Sequence, residues 1–169
     1  DFTVLEVIDV ILTKGRGSRA QKSLVYGENP IAKSISPFLF PFRDPGIFQL
    51  VLELLPGIAN LTGEKRLEQV ITTLRTTPVD AGVLARAVAQ LRADIVRMMT
   101  TTQSRAQLMG FSIRATGDPA LPWKRLQQYG QVTPEDVLRV AHQWLTPEKR
   151  VVGHAVTLSH LNALTAELI

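Results

Sequence analysis

The stretch IAKSISPFLFPFRDPGIFQLVLELL, residues 31–55, decides the fold class. Its first ten residues alternate, with Ala32, Ser34, Ser36, Phe38 and Phe40 on one side and Ile31, Lys33 and Ile35 on the other, the period of a strand. Arg43-Asp44-Pro45-Gly46 has the composition of a turn. Beyond it, Phe48, Leu50, Leu52 and Leu54 alternate with Gln49, Val51 and Glu53. The two runs predict an antiparallel hairpin over residues 31–40 and 47–55, with one strongly apolar face that the rest of the chain must cover. Pro37 has no amide proton to give a ladder, so the first strand is expected to bend, bulge or lie at an edge near its end.

On the amino-terminal side, Val4, Leu5, Ile8, Ile11 and Leu12 recur at helical spacing while Glu6, Asp9 and Thr13 occupy another face. Residues 2–12 are therefore read as a helix packed on one side. Gly15-Arg16-Gly17 breaks it, and Ser18 with Gln21 has the spacing of a capping box, which starts a short helix running to about Tyr26 before Gly27. These glycines do not form a phosphate loop, because no strand precedes them and no Lys-Ser/Thr ending follows.

On the carboxy-terminal side, Leu67, Val70, Ile71 and Leu74 mark a helix from near Thr62 to Thr77-Pro78. Asp80 caps a longer one with the stripe Leu84, Ala87, Val88, Leu91, Ile95 and Met98, in which Met98 and Met99 are read as core filler rather than as a cofactor box. Thr100-Thr101-Thr102 weakens the helix, since β-branched residues lose side-chain freedom there. A further apolar helix is expected over about residues 104–115, then a loop and a short segment bearing Trp123, Leu126 and Tyr129. Thr133 as N-cap, Pro134 at the first position and Glu135-Asp136 in the first turn announce a helix buried through Val137, Val140, Ala141 and Leu145. Arg150 to Thr157 alternates as a closing strand would. The order helix, helix, strand, strand, several helices, strand predicts an α+β fold: a largely antiparallel sheet with helices on one face, in a single domain over residues 1–169.

Bulk composition agrees with one ordinary domain, since 45% hydrophobic residues in a chain of 169 can bury a sizeable core. Cysteine is absent, which removes disulfides, thiolate nucleophiles and Cys-ligated metals. The formal charge of +4 comes from cations placed singly or in pairs between acids, such as Lys14/Arg16, Lys65/Arg66 and Lys149/Arg150. That pattern is a solvated face rather than a nucleic-acid footprint, so no nucleic acid is expected as partner. No apolar run reaches the roughly 20 residues that a membrane span needs, and no basic n-region followed by a small-residue cleavage site stands at the start. The first residues already lie in a helix pattern and are not preceded by Met, so further sequence is expected upstream.

Catalytic motifs are missing. The three histidines, His142, His154 and His160, have no His or Glu at a spacing that would put two ligands on one helical face. H-x-x-E-H, H-E-x-x-H, the P-loop and G-x-S-x-G are all absent. No catalytic and no metal-binding residue is therefore assigned, and His142 and His154 are read as ordinary histidines.

Several stretches, in order, resemble the carboxy-terminal domains of pitrilysin/insulinase (mitochondrial processing peptidase-like) zinc metallopeptidases. They are Ile11-Leu12 through Gly15-Arg16-Gly17-Ser18-Arg19, Leu24-Val25, Ile31-Ala32-Lys33-Ser34-Ile35-Ser36, Asp44-Pro45-Gly46-Ile47-Phe48, and Leu84-Ala85-Arg86-Ala87. The last is Val132-Thr133-Pro134-Glu135-Asp136-Val137 with Val140-Ala141 and Trp144-Leu145-Thr146-Pro147. The resemblance covers about residues 1–157 and implies a peptidase-type α+β domain that is inactive by itself. It would wall a peptide chamber and lie against a zinc-bearing domain, in the same polypeptide or in a second subunit of a hetero- or homodimer.

Zinc and the general base for its bound water would then be supplied by an amino-terminal domain for which this chain has no counterpart. The substrate would be a peptide, and the setting a bacterial cytoplasm or periplasm. In the two-subunit branch, the subunit lacking zinc carries an Arg and a Tyr that hold the substrate backbone. The flanking motif places these positions at Val25 and Lys33, so the pair is not retained there, and the resemblance favours the zinc-bearing type of subunit. Arg19 and Tyr26 have a similar spacing, but Arg19 aligns with the Ser-Arg at the helix start. Two other readings stay open at this level: a hydrolytically inactive assembly subunit of the same fold, as in the core of a respiratory complex, and an unrelated basic binding module.

Overall fold

The computed structural model describes residues 1–40 and 46–156. Helix α1 (Phe2–Thr13) leads through a helical turn, π-type over Gln21–Val25, into strands β1 (Ala32–Phe40) and β2 (Ile47–Leu54). Helices α2 (Asn60–Thr76), α3 (Ala81–Met98), α4 (Thr102–Thr116), α5 (Leu121–Gln128) and α6 (Pro134–Trp144) follow. The class is α+β, as the periodicities require.

The hairpin forms over the predicted residues. β1 and β2 pair antiparallel, with Ile35 opposite Leu52, Pro37 opposite Leu50 and Leu39 opposite Phe48. Phe48, Leu50, Leu52 and Leu54 pack on the core while Gln49, Val51 and Glu53 face outward. The bulge falls at Lys33 and not near Pro37, since the register shifts between Ala32 and Ser34; the edge alternative holds for Pro37, as β1 is an edge strand of a two-stranded sheet among the described residues. The bulge turns Ala32 inward beside Ile35, away from the Ser34 side on which strict alternation would put it. The turn at Arg43-Asp44-Pro45 lies outside the described residues.

Helix α1 is buried more completely than one amphipathic stripe implies. Val7, Ile8 and Leu12 are fully enclosed and Val4, Val10, Ile11 and Thr13 are buried, because α3, α6 and β1 close on the helix from different sides. The polar residues on it find internal partners. The Thr13 hydroxyl donates to the Asp9 carbonyl at 2.9 Å, and the Glu6 carboxylate accepts from Arg125 and from the Tyr129 hydroxyl. Helix α2 crosses β2 at Gly63, where a Cβ would stand 2.6 Å from Leu54 Cδ2, so the close approach there requires glycine.

The caps behave as the sequence predicts in two places. Asp80 accepts from the amides of Gly82 and Val83 at the start of α3, and Thr133 with Asp136 completes a capping box at α6. At Ser18 the expected capping box is replaced by a hydrogen bond from its hydroxyl to the Gly15 carbonyl, 2.8 Å, while the Gln21 amide reaches across to the Ile35 carbonyl. Met99 packs against the core, but Met98 is 42% exposed and is not core filler. Helix α4 buries only Ser112 among its residues, so the apolar character read from its sequence does not become a packed face.

The closing strand is not formed among the described residues. Residues 151–156 have no ladder partner among the described residues and are exposed, Val151 at 99%. The segment is instead led across α2 by Arg150, which binds Glu64 at 2.9 Å and Glu68 at 2.8 Å. Among the described residues no helix is long and apolar enough to cross a membrane.

Candidate functional site

The side chains with unspent chemistry gather at the helical turn between α1 and β1. Local sequence fixes the backbone there. The Lys22 amide donates to Ser18 O at 2.9 Å and the Tyr26 amide to Gln21 O at 2.9 Å, a reach of five residues that makes the turn wide. Leu24 anchors it in the core with no exposed surface, and Leu24 O accepts the Ile31 amide at 2.9 Å, which ties the turn to the start of β1. Gly27 is required for the exit, since a Cβ there would sit 2.8 Å from the Lys22 carbonyl oxygen. From α2, Arg66 donates to Ser23 O at 3.2 Å.

Val25 and Lys33, the two positions marked by sequence, stand in different settings. Val25 packs against the core. Lys33 sits on the bulge with its side chain 70% exposed and its amine bonded to Glu53 at 2.9 Å. That hydrogen bond, joined by one from Ser34, holds the Glu53 carboxyl below its ordinary range.

Arg19 and Tyr26 lie at the two ends of the same turn. Arg19 Nη1 is buried and has no hydrogen-bond partner among the described residues, and burial lowers the pKa of the guanidinium. A buried guanidinium nitrogen left without an acceptor costs the full desolvation of that group, so an acceptor arriving from outside would be well rewarded. Tyr26 is 53% exposed, and the Arg16 guanidinium carbon stands 4.9 Å from its ring centroid, within cation–π range. Periodicity gave no sign of this, because the packing of β1 and α2 against the π-type turn is set by the fold.

No metal centre appears at the histidines. His142 is exposed on α6, beside a cleft of about 320 Å³ whose Arg75 is committed to Glu68 at 2.5 Å and to Leu145 O at 3.1 Å. His154 Nε2 lies 3.4 Å from a Glu64 oxygen, and His160 is outside the described residues. Among the described residues no group of three His, Asp or Glu side chains could hold an ion. The side chains of the described residues therefore do not fit a zinc site.

No protein-family profile and no curated protein matches the sequence. Solved structures do. A candidate zinc protease from Bordetella pertussis Tohama I is similar with a TM-score of 0.75 and 22% identity over 92% of this chain and 84% of that one. The inactive peptidase domain of a candidate zinc protease from Bordetella parapertussis gives 0.73 and 22% over 88% and 78%. A protease from Helicobacter pylori gives 0.80 and 17% over 88% of this chain, which spans only 35% of that longer protein. At these identities the likeness is one of fold. The chain has the α+β architecture that these protease structures share, in agreement with the family resemblance carried by its motifs.

Proposed function

We propose that this chain is the non-catalytic carboxy-terminal domain of a pitrilysin/insulinase-type zinc metalloendopeptidase, and that it holds an extended peptide substrate through Arg19 and Tyr26. The observation that carries the reading is the buried Nη1 of Arg19, without a partner among the described residues, at one end of a turn whose other end exposes the phenol of Tyr26. An extended peptide presents carbonyl oxygens along its length. A guanidinium and a phenol hydroxyl are donors suited to two of them. Val25 offers no donor and Lys33 is spent on Glu53, so in this proposal the grip passes from the positions first marked by sequence to Arg19 and Tyr26. The domain then belongs to the substrate-holding type rather than to the zinc-bearing type.

Hydrolysis belongs to a zinc-bearing domain, in the same polypeptide or a second subunit, against which this chain packs to wall the peptide chamber. The fold shared with an inactive peptidase domain and the lack of a metal-ligating group among the described residues both support that division of labour. The test is an assay of the assembled, zinc-loaded protease on an unstructured peptide. Arg19→Gln and Tyr26→Phe should each lower kcat/KM, Arg19→Gln by about 10- to 100-fold, as expected for losing a charge-assisted hydrogen bond. Zinc content and melting temperature should be unchanged. Unaltered kcat/KM in both variants would contradict the assignment.

A further inference from the structure

The turn that carries Arg19 and Tyr26 is also rich in positive charge, part of which has no acidic partner among the described residues. Between Asp9 and Asp44 the sequence has one acid, Glu28, against Lys14, Arg16, Arg19, Lys22, Lys33 and Arg43. Two of these cations are spent, Lys14 on Asp94 at 2.6 Å and Lys33 on Glu53 at 2.9 Å. Arg16, Arg19 and Lys22 have no acidic partner among the described residues. Arg66 brings a fourth cation from α2, hydrogen-bonded to the Ser23 carbonyl and likewise without an acid among those residues. The one acid, Glu28, is exposed past the end of the turn. Sequence spacing alone hides this, since Arg66 comes from another element and the pairing of Lys14 and Lys33 is decided by the fold.

Arg16 is the most telling of the four. It stands on the exposed Gly15–Gly17 turn, its guanidinium over the face of Tyr26, so its charge is held beside the phenol rather than sweeping through solvent. A guanidinium stacked in this way keeps its N–H edge available for a carboxylate.

We infer that this site selects peptides bearing carboxylate side chains, with Arg16 as the residue that reads them. The inference rests on the peptide-holding role of Arg19 and Tyr26 proposed above and adds a substrate class to it. Arg19 takes a backbone carbonyl, which every peptide has. Arg16, Lys22 and Arg66 form the rim that an Asp or Glu side chain of the bound strand would meet, and a Lys or Arg there would be repelled.

The test measures fluorescence anisotropy of the whole chain with three unstructured peptides of equal length, one neutral, one with interspersed Glu and one with interspersed Lys. A single-stranded oligonucleotide serves as competitor. The acidic peptide should bind at least about fivefold tighter than the neutral one at low salt, the Lys peptide weaker than both, and added salt should narrow the spread. Arg16→Glu should reverse the order of the acidic and Lys peptides, while Arg16→Lys keeps it. Equal binding of all three peptides, with Arg19→Gln weakening each alike, would overturn the selectivity and leave the holding role standing. Failure of every peptide to bind, or indifference of all of them to Arg19→Gln, would overturn both. Tighter binding by the oligonucleotide than by the acidic peptide would make the rim a nucleic-acid surface and overturn the inference.

Discussion

The Tyr129 hydroxyl donates to the Glu6 carboxylate at 3.0 Å, joining the middle of α1 to the turn after α5 across 123 positions of sequence. Arg125 from α5 binds the other carboxylate oxygen and also stands 4.6 Å over the Phe2 ring, so one buried cluster fixes the amino-terminal helix to the carboxy-terminal half. Burial is the largest influence on Glu6 and pushes its pKa from 4.5 up to about 7 against the pull of Arg125 and Tyr129. Tyr129 is itself raised, first by burial and then by the neighbouring carboxylate.

Stability should therefore fall as pH rises across this window. The folded state keeps its proton on Glu6 where the unfolded chain has released it, so the contribution is fully present below about 4.5 and lost as pH passes through about 7. The loss amounts to about 3 kcal/mol. Asp9, also raised by burial, acts in the same direction. Urea unfolding at a series of pH values checks this, and Glu6→Gln should remove most of the slope. A stability that climbs between pH 4.5 and 7 in the parent chain would be the opposite sign.

The hairpin's inward face is the second point of test. Leu50 packs on the core opposite Pro37, while Gln49 on the next position faces solvent. Leu50→Asp should cost about 2–4 kcal/mol, the loss of a large apolar contact plus the burial of a charge, and Gln49→Asp under about 0.5 kcal/mol. Denaturant midpoints of the two variants decide it, and equal destabilisation would put the assigned face in error.

Zinc should not bind the chain tightly. After dialysis against metal-free buffer, elemental analysis should find well under one equivalent, because the described residues bring no three ligands together. One zinc per chain, retained through dialysis, would refute this.

Element identity was legible wherever local patterning and packing agree. The hairpin, the Asp80 cap and the Thr133-Pro134-Glu135-Asp136 helix start were read correctly because strand period and N-cap chemistry are local. Burial was less so. The all-round enclosure of α1, the inward turn of Ala32 at the Lys33 bulge and the exposure of Met98 depend on which elements close on which side. Arg150 to Thr157 has the alternation of a strand, but a strand also needs a neighbour, and alternation says nothing of where one is. For the candidate site, the cations were legible one by one. Which of them lack an acidic partner among the described residues, and the orphaning of Arg19 Nη1 among those residues, became visible only in the folded chain.

On the proposed function, this chain grips substrate for a zinc centre carried by another domain. The direct measurement is the rate of hydrolysis of an unstructured peptide by the zinc-loaded zinc-bearing domain prepared without this chain, by this chain alone, and by the two combined. The account predicts no cleavage by this chain, little by the zinc-bearing domain, and a rise of kcat/KM of about 10- to 100-fold or more on combination, the scale of one lost or gained charge-assisted hydrogen bond to substrate. Full activity of the zinc-bearing domain without this chain, unchanged when it is added, would contradict it.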